Sequence, residues 1–385
     1  MGLDPAGLEQ ELSDLFAQGV DSPLPDAAFN DLALRVFRFQ FERNRIFGAY
    51  AEARGRTPDT VDRWEEIPPV PTRAFKELPL VAGDPEEVAR TFRTSGTTEG
   101  TEARGAHGVV SLRLYDASLL PNFQAHLLPD RPRIRILSLL PPPERVPSSS
   151  LAYMMGRAAS VYGDGFDDFF LDEHWRLDFR SLHDALDRAV HEGAPVLLAG
   201  TAFAFVHFLD GSTTWRGPGP KALPEGSRIM ETGGFKGRSR AVTREELYQG
   251  LRERFGIPTR GIVNEYGMTE LLSQFYEPVL RSSPGGEAPT DGQEEEWLSE
   301  RSLTAPPWVR TRVLDPTTLD PLESGRPGLL AHFDLANLHS VSYVLTEDHG
   351  VSVGPGFRVL GRSPGAEPRG CSLAMEEVLA SQERR

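Results

Sequence analysis

The sequence predicts an α/β fold with largely parallel sheets and, toward the C-terminus, a small β-barrel-like part. Three observations carry that expectation. The middle of the chain alternates apolar strand-like runs with amphipathic segments, and such alternation favours parallel sheets covered by helices. From 329 to 360 the helical signal fades, and short runs such as 341–345 (VSYVL) and 357–360 (FRVL) read as antiparallel strands. The 385 residues are 39% hydrophobic and 25% charged, which supplies a sizeable core and argues against global disorder.

The elements follow in order. Residues 27–53 read as one long amphipathic helix, with Leu32, Val36, Phe39 and Phe47 sharing roughly one face. Residues 58–80 are Pro-rich and turn-like. Residues 133–140 (RIRILSLL) read as a buried strand, 181–192 as a helix and 195–199 (PVLLA) as a second strand. A capping box, Thr243 with Glu246 three positions on, starts a helix over 243–255. Residues 257–263 then lead into a strand. Loops are predicted at 141–150, 211–220 and 282–296, where Gly, Pro and Ser or acidic residues cluster. The length suggests two or three units, or one large body with an appendage. The predicted division is an N-terminal helical and Pro-rich segment packed on the body (1–90), an α/β core (91–325), a small β subdomain (326–370) and a tail (371–385).

Composition narrows the function. The net charge is −15, which argues against nucleic-acid or anionic-membrane partners, since both need a positive surface. No run reaches the ~18 apolar residues of a spanning helix, so no membrane insertion is expected. The acidic N-terminus does not read as a signal peptide. The single cysteine, Cys371, excludes an internal disulfide and a cysteine-based metal cluster. A cytoplasmic enzyme is the expectation. A Walker-type phosphate loop, a Rossmann fingerprint, a G-x-S-x-G elbow and H-E-x-x-H are all absent. His174, His183 and His191 read as surface or packing residues.

Four stretches remain. TSGTTEGT (94–101) holds hydroxyls and glycines that could turn toward a polyphosphate, or it is a Ser/Thr/Gly surface loop. NEYGMTE (264–270) offers a ring for a base, then a hydroxyl (Thr269) and a carboxylate (Glu270) suited to phosphate and Mg2+, or it is an ordinary strand-to-helix turn. ETGGFKG (231–237) combines close backbone approach with Lys236, or is a tight turn. In 346–362, Asp348 could accept from a ribose diol, with Arg362 fourteen residues on; Asp334 in HFDLAN is a rival for that role.

The order of these stretches resembles that of the adenylate-forming superfamily, in its phosphate loop, its Tyr-Gly-x-Thr-Glu motif, its Thr-Gly-Asp and its hinge Gly-Arg. TGGFKG together with LGRSPGAEPRGCSL (360–373) resembles more narrowly the acyl-protein synthetase (LuxE-like) family of bacterial luminescence operons. The resemblance spans about 90–380. It implies an adenylate-forming-type body. Because 23 residues follow Arg362, the superfamily's C-terminal lid domain is expected to be absent.

The resemblance implies ATP and Mg2+ as cofactors and an acid–thiol ligase activity. A carboxylic acid, in this family a fatty acid, becomes an acyl-adenylate; a cysteine thiol then takes the acyl group for a partner, an acyl reductase or acyl-transferase protein. Ser95, Gly96, Thr97, Thr98, Gly100 and Thr101 would meet the phosphates. Gly233, Gly234 and Tyr266 would surround adenine, with Thr269 on the α-phosphate, Glu270 on the metal and Asp348 on ribose; Gly267 and Arg362 are counted among the ATP-binding residues. Lys236 supplies a cation and Cys371 the nucleophile. RGCSL continues into SLAMEEVLA, which reads as a short helix. Phe203, Phe205 and Phe208, with loop 141–155, either line an acyl pocket or pack in the core. Two alternatives stand beside this reading: an acyl- or aryl-CoA ligase of the phenylacetate type, and a degenerate adenylate-binding scaffold subunit. The second is favoured by Glu99 and by the lack of a lysine at the end of the phosphate loop.

Overall fold

The computed structural model describes residues 5–94, 104–212, 222–233, 242–282, 294–362 and 374–380. Helix α1 (Pro5–Ala17) buries Leu8, Leu12 and Phe16, one per turn. The predicted helix over 27–53 is two helices, α2 (Asp26–Arg43) and α3 (Arg45–Ala53). Asn44 makes the break. It is extended (φ −99°, ψ 94°), and its side chain accepts from the Phe47 amide to cap α3. Gly48 lets α3 fold back tightly, because a Cβ there would lie 2.4 Å from the Phe41 carbonyl oxygen. After β1 (Val70–Pro71) and α4 (Ala74–Glu77) comes a hairpin of β2 (Arg90–Arg93) and β3 (Ala106–Val109), then α5 (Leu112–Leu127).

The α/β alternation follows. Strands β4 (Arg135–Leu139), β5 (Asp168–Phe169), β6 (Val196–Thr201), β7 (Arg228–Thr232) and β8 (Ile262–Tyr266) are interleaved with helices α6 (Ser150–Tyr162), α7 (Phe179–Glu192), α8 (Ala202–Ser212) and α9 (Arg244–Phe255). Local signals set the helix starts. Ser149 caps α6, Asp178 caps α7, and the Thr243–Glu246 capping box opens α9. Strand β9 (Phe275–Tyr276) and helices α10 (Val279–Ser282) and α11 (Glu294–Glu300) complete this stretch. The C-terminal part carries β10 (Val309–Leu314), β11 (Gly328–Asp334), β12 (Tyr343–Val353), β13 (Gly356–Arg362) and a helix α12 over 374–380.

The chain forms two compact units. One contains Phe123–Gly267 and Phe275–Leu303. Its six-stranded sheet runs β5-β4-β6-β7-β8-β9, parallel throughout except for β9 at the edge. Every residue of β4 and β7 is buried, as expected of a parallel sheet covered on both faces. Leu137, Val196, Leu198, Ile229 and Ile262 meet Leu186 and Leu251 of the covering helices. Each fully buried aliphatic side chain of this kind contributes roughly 1.5–3 kcal/mol. Phe205 and Phe208 belong to this core, and Phe208 stacks on Phe255 at 5.5 Å. His183 packs against Phe208, while His174 and His191 are exposed.

The other unit contains Met1–Asn122, Met268–Gln274 and Thr304–Arg385. Its five-stranded sheet runs β1-β12-β11-β10, with β13 also paired to β12. The strands over 329–360 are antiparallel, as their patterning predicts. The sheet is open, because β10 pairs only with β11; among the described residues no barrel closes. In α12, Ala374, Met375 and Val378 are buried and Glu377 pairs with Arg54, which follows α3.

Candidate functional site

In the unit built on the parallel sheet, the candidate residues gather at the C-terminal ends of two neighbouring strands. Parallel pairing sets Glu231 beside Asn264 and Thr232 beside Glu265. Gly233 therefore leaves β7 next to where Tyr266 and Gly267 leave β8. Ligands of open α/β sheets bind at this end. Gly233 has φ 74°, a left-handed conformation natural only to glycine. A Cβ at Gly267 would lie 2.4 Å from Glu265 Oε1, so a larger residue there would have to displace the Glu265 carboxyl. The Tyr266 ring lies tilted 5.7 Å from Phe275.

Two buried carboxyls underlie these strand ends. Glu265 accepts from the Thr232 hydroxyl, and burial pushes its carboxyl up to about 7. Glu231 accepts from Tyr248 Oη at 2.9 Å and Asn264 Nδ2 at 2.6 Å, and burial pushes it to about 7 as well. Glu277 is ionically paired, accepting from Arg244 at 2.6 and 2.7 Å and from Arg301 at 3.2 Å. The sign for Glu265 follows from its raised value. The folded chain holds a proton that the unfolded chain releases between about pH 4.5 and 7, so this contribution to stability is complete below that window and is lost as pH rises through 7. Glu265→Gln should therefore flatten the fall in denaturation midpoint between about pH 5 and 8, by on the order of 2 kcal/mol. An unchanged slope in urea titrations would show that Glu265 is ionised in the folded protein.

In the other unit, the β2–β3 hairpin brackets the Ser/Thr/Gly stretch. The Thr94 amide donates to the Gly105 carbonyl at 2.9 Å, and the Gly105 amide donates to Thr94 Oγ1 at 3.0 Å. Ser95, Gly96, Thr97, Thr98, Gly100 and Thr101 lie outside the described residues, as do Gly234, Lys236 and Cys371. Arg104, beside the hairpin's closing pair, is exposed.

Thr269 and Glu270 form a turn, with no helix following. Two buried side chains hold its backbone, and a third holds the chain just after it. His107 on β3 donates from Nδ1 to the Thr269 carbonyl at 2.9 Å. Asn337 Nδ2 donates to the Glu270 carbonyl at 2.8 Å, while its Oδ1 accepts from the Leu272 amide at 3.0 Å. Asp334 accepts from the Leu272 and Ser273 amides at 3.2 and 2.9 Å, from Ser273 Oγ at 2.8 Å and from the Ala336 amide at 2.9 Å. Asp334 is thus engaged in pinning the chain after the turn. Burial pushes it to about 6 despite those four donors. His107 is fully buried, which depresses its imidazole to about 4. The ring is therefore neutral, and because a carbonyl only accepts, the proton sits on Nδ1.

Asp348 and Arg362 are brought together. Arg362 Nε donates to Asp348 Oδ1 at 2.9 Å, and its guanidinium also lies 3.5 Å from Glu347. The antiparallel register makes them direct partners through a bulge at Leu360, where the pairing shifts between His349 and Gly350. Gly361, beside the bulge, takes φ 104°, a conformation that favours glycine. Thr346 braces Asp348: its hydroxyl donates to the Leu330 carbonyl at 2.8 Å and accepts from the Asp348 amide at 3.1 Å.

The residues that sequence reading passed over are His107, Asn337, Glu231, Asn264 and Glu265. His107 is one of nine scattered histidines. Glu231, Asn264, Glu265 and Asn337 each lie inside a stretch, ETGGFKG, NEYGMTE or HFDLAN, whose other residues carry the evident chemistry. Among the described residues, no group of three or more His, Cys, Asp or Glu side chains could hold a metal ion, and no helix is long and apolar enough to cross a membrane.

The profile of the family described as acyl-protein synthetase, LuxE, matches residues 23–380. A long-chain-fatty-acid–luciferin-component ligase of Vibrio harveyi is 23% identical over 390 residues, covering 97% of this chain and 94% of that protein. A ligase of the same name from Aliivibrio fischeri is 23% identical over 368 residues, covering 90% and 88%. Among solved structures, a 2-hydroxyisobutyryl-CoA ligase in complex with 2-HIB-AMP and CoA, in the thioesterification state, aligns with TM-score 0.61 at 14% identity, over 88% of this chain and 68% of that one. An open conformation of that ligase aligns with TM-score 0.59. These structural likenesses establish an adenylate-forming-type fold.

Proposed function

Because the chain belongs to the LuxE acyl-protein synthetase family, we propose that it activates a long-chain fatty acid with ATP and carries the acyl group on Cys371 for a partner protein. The chain is an acid–thiol ligase. A carboxylate is a poor acyl donor, because its leaving group would be oxide. In the first step a carboxylate oxygen bonds to the α-phosphorus of ATP, and pyrophosphate leaves with the electron pair of the broken P–O bond. In the second step a thiolate bonds to the acyl carbon and AMP leaves.

The observation that supports this reading is the Thr269–Glu270 turn, whose backbone is held by His107, Asn337 and the segment that Asp334 pins. A hydroxyl and a carboxylate held in this way suit an α-phosphate and a cation. Mg2+ fits a site with one protein carboxylate, because it is usually held by one or two carboxylates together with substrate phosphates. Glu270 would hold it, and the ion would neutralise charge on the departing pyrophosphate. Ser95, Gly96, Thr97, Thr98, Gly100 and Thr101 are assigned to the phosphates, Gly233, Gly234, Tyr266 and Gly267 to adenine, and Asp348 to ribose, oriented by Arg362. Lys236 is assigned as the cation at the carboxylate or α-phosphate. A partner that takes the acyl group from the thioester would be an acyl reductase or acyl transferase.

The test is ATP–pyrophosphate exchange over a panel of carboxylic acids, with products identified. Exchange that depends on a long-chain fatty acid and Mg2+, with AMP and pyrophosphate released, is the expected result. ADP and phosphate as products would end the adenylation reading. Exchange followed by transfer of the acyl group to added coenzyme A, with none on the chain, would establish the CoA-ligase alternative.

A further inference from the structure

We infer that His107 is a positioning residue for adenylation: by donating from Nδ1 to the Thr269 carbonyl, it sets the place of the Thr269–Glu270 turn against the β2–β3 hairpin. This rests on the adenylation reading above and adds to it a residue outside the motifs.

Strand β3 alternates half-buried and buried residues, with His107 and Val109 inward. Its hairpin partner is Phe92, which is wholly buried. Phe75 of α4 meets the His107 ring edge-on at 5.5 Å. Such a site favours an aliphatic side chain, and burying an imidazole there costs free energy unless its polar atoms are paired. The bond that His107 makes is directed at one carbonyl, 162 positions along the chain, in the residue assigned to the α-phosphate. The neighbouring carbonyl, that of Glu270, is held separately by Asn337. The two bonds have different reach. Asn337 ties the turn to the segment after β11, and Asp334 at the end of β11 ties down residues 272–273 just beyond it. His107 hydrogen-bonds the turn to the hairpin that brackets 95–103. Loss of Nδ1 donation would leave the turn folded but free to shift relative to the hairpin. A displacement of about 1 Å in a reacting constellation can cost about a hundredfold in rate.

The experiment compares His107→Asn, His107→Gln and His107→Leu with the wild type. An asparagine amide nitrogen falls near the place of Nδ1, whereas a glutamine amide reaches the place of Nε2. Three quantities are measured: fatty-acid-dependent ATP–pyrophosphate exchange, using the acid that gives the fastest exchange; ATP binding by calorimetry in EDTA; and the thermal midpoint. His107→Asn should keep most of the exchange kcat. His107→Gln and His107→Leu should lose about tenfold to a hundredfold and need more Mg2+ for half-maximal rate. Metal-free ATP binding should change little across the series. Equal exchange in all four proteins would overturn the inference. So would equal loss in His107→Asn and His107→Gln, or losses that simply track metal-free ATP binding and thermal midpoint, because these mark a packing role. If the leucine variant does not fold, the asparagine–glutamine pair still decides. Absence of exchange in the wild type would defeat the adenylation reading and this inference with it.

Discussion

Cys371→Ala is expected to eliminate acyl label from the chain while ATP–pyrophosphate exchange continues. The two steps separate chemically. Exchange requires only that the carboxylate attack the α-phosphorus and that pyrophosphate return, and no thiol takes part. Retention of the acyl group requires a nucleophile that attacks the mixed anhydride and survives as a thioester. Cys371 is the only cysteine of the chain, so one substitution removes every thiol. Arg369, two residues before it, would favour thiolate over thiol. Three residues beyond Cys371 the chain enters α12, which is secured by buried Ala374, Met375 and Val378 and by the Glu377–Arg54 pair. Incubation with ATP, Mg2+ and labelled fatty acid should give hydroxylamine-labile label on the wild type and background on the variant. Label that persists in Cys371→Ala would place the acyl group elsewhere. No label on an active wild type would point to a soluble thioester product.

The second large effect is expected from Glu270→Gln. The substitution keeps size and shape and removes one negative charge. The Asn337 bond to the residue 270 carbonyl and the His107 bond to the residue 269 carbonyl are both accepted by the backbone, so these two ties to the turn should persist in the variant. What is lost is the carboxylate that would hold the cation against the departing pyrophosphate. Removing one preorganised electrostatic contact of this kind typically costs about a hundredfold to a thousandfold in kcat. The measurement is exchange rate against Mg2+ concentration. The variant should show a lower maximum and a higher Mg2+ requirement. A rate near that of the wild type at all Mg2+ concentrations would remove Glu270 from metal binding.

The amino-acid sequence by itself determined the local half of this protein. Apolar runs became β4 and β6 because a parallel strand buried on both faces needs a largely hydrophobic stretch. Thr243 and Glu246 began α9 because the partners of a capping box lie three residues apart. The chemistry-bearing motifs were equally legible, since hydroxyls, glycines and carboxylates at short spacing declare their chemistry within a few residues. Tertiary structure decided what depends on partners far along the chain. Asn44 could have continued a helix, and it divides one because Gly48 admits the Phe41 carbonyl as α3 folds back on α2. Asp334 and Asp348 were rivals on composition alone. Four buried donors make the first a fastening for the 272–273 backbone, while Arg362, aligned by a bulge, makes the second an oriented carboxylate. His107 is identified only by a carbonyl 162 positions away. The common reason is that a residue type states which hydrogen bonds and charges a side chain can offer, whereas burial and long-range chain placement decide which of them it makes and at what protonation state.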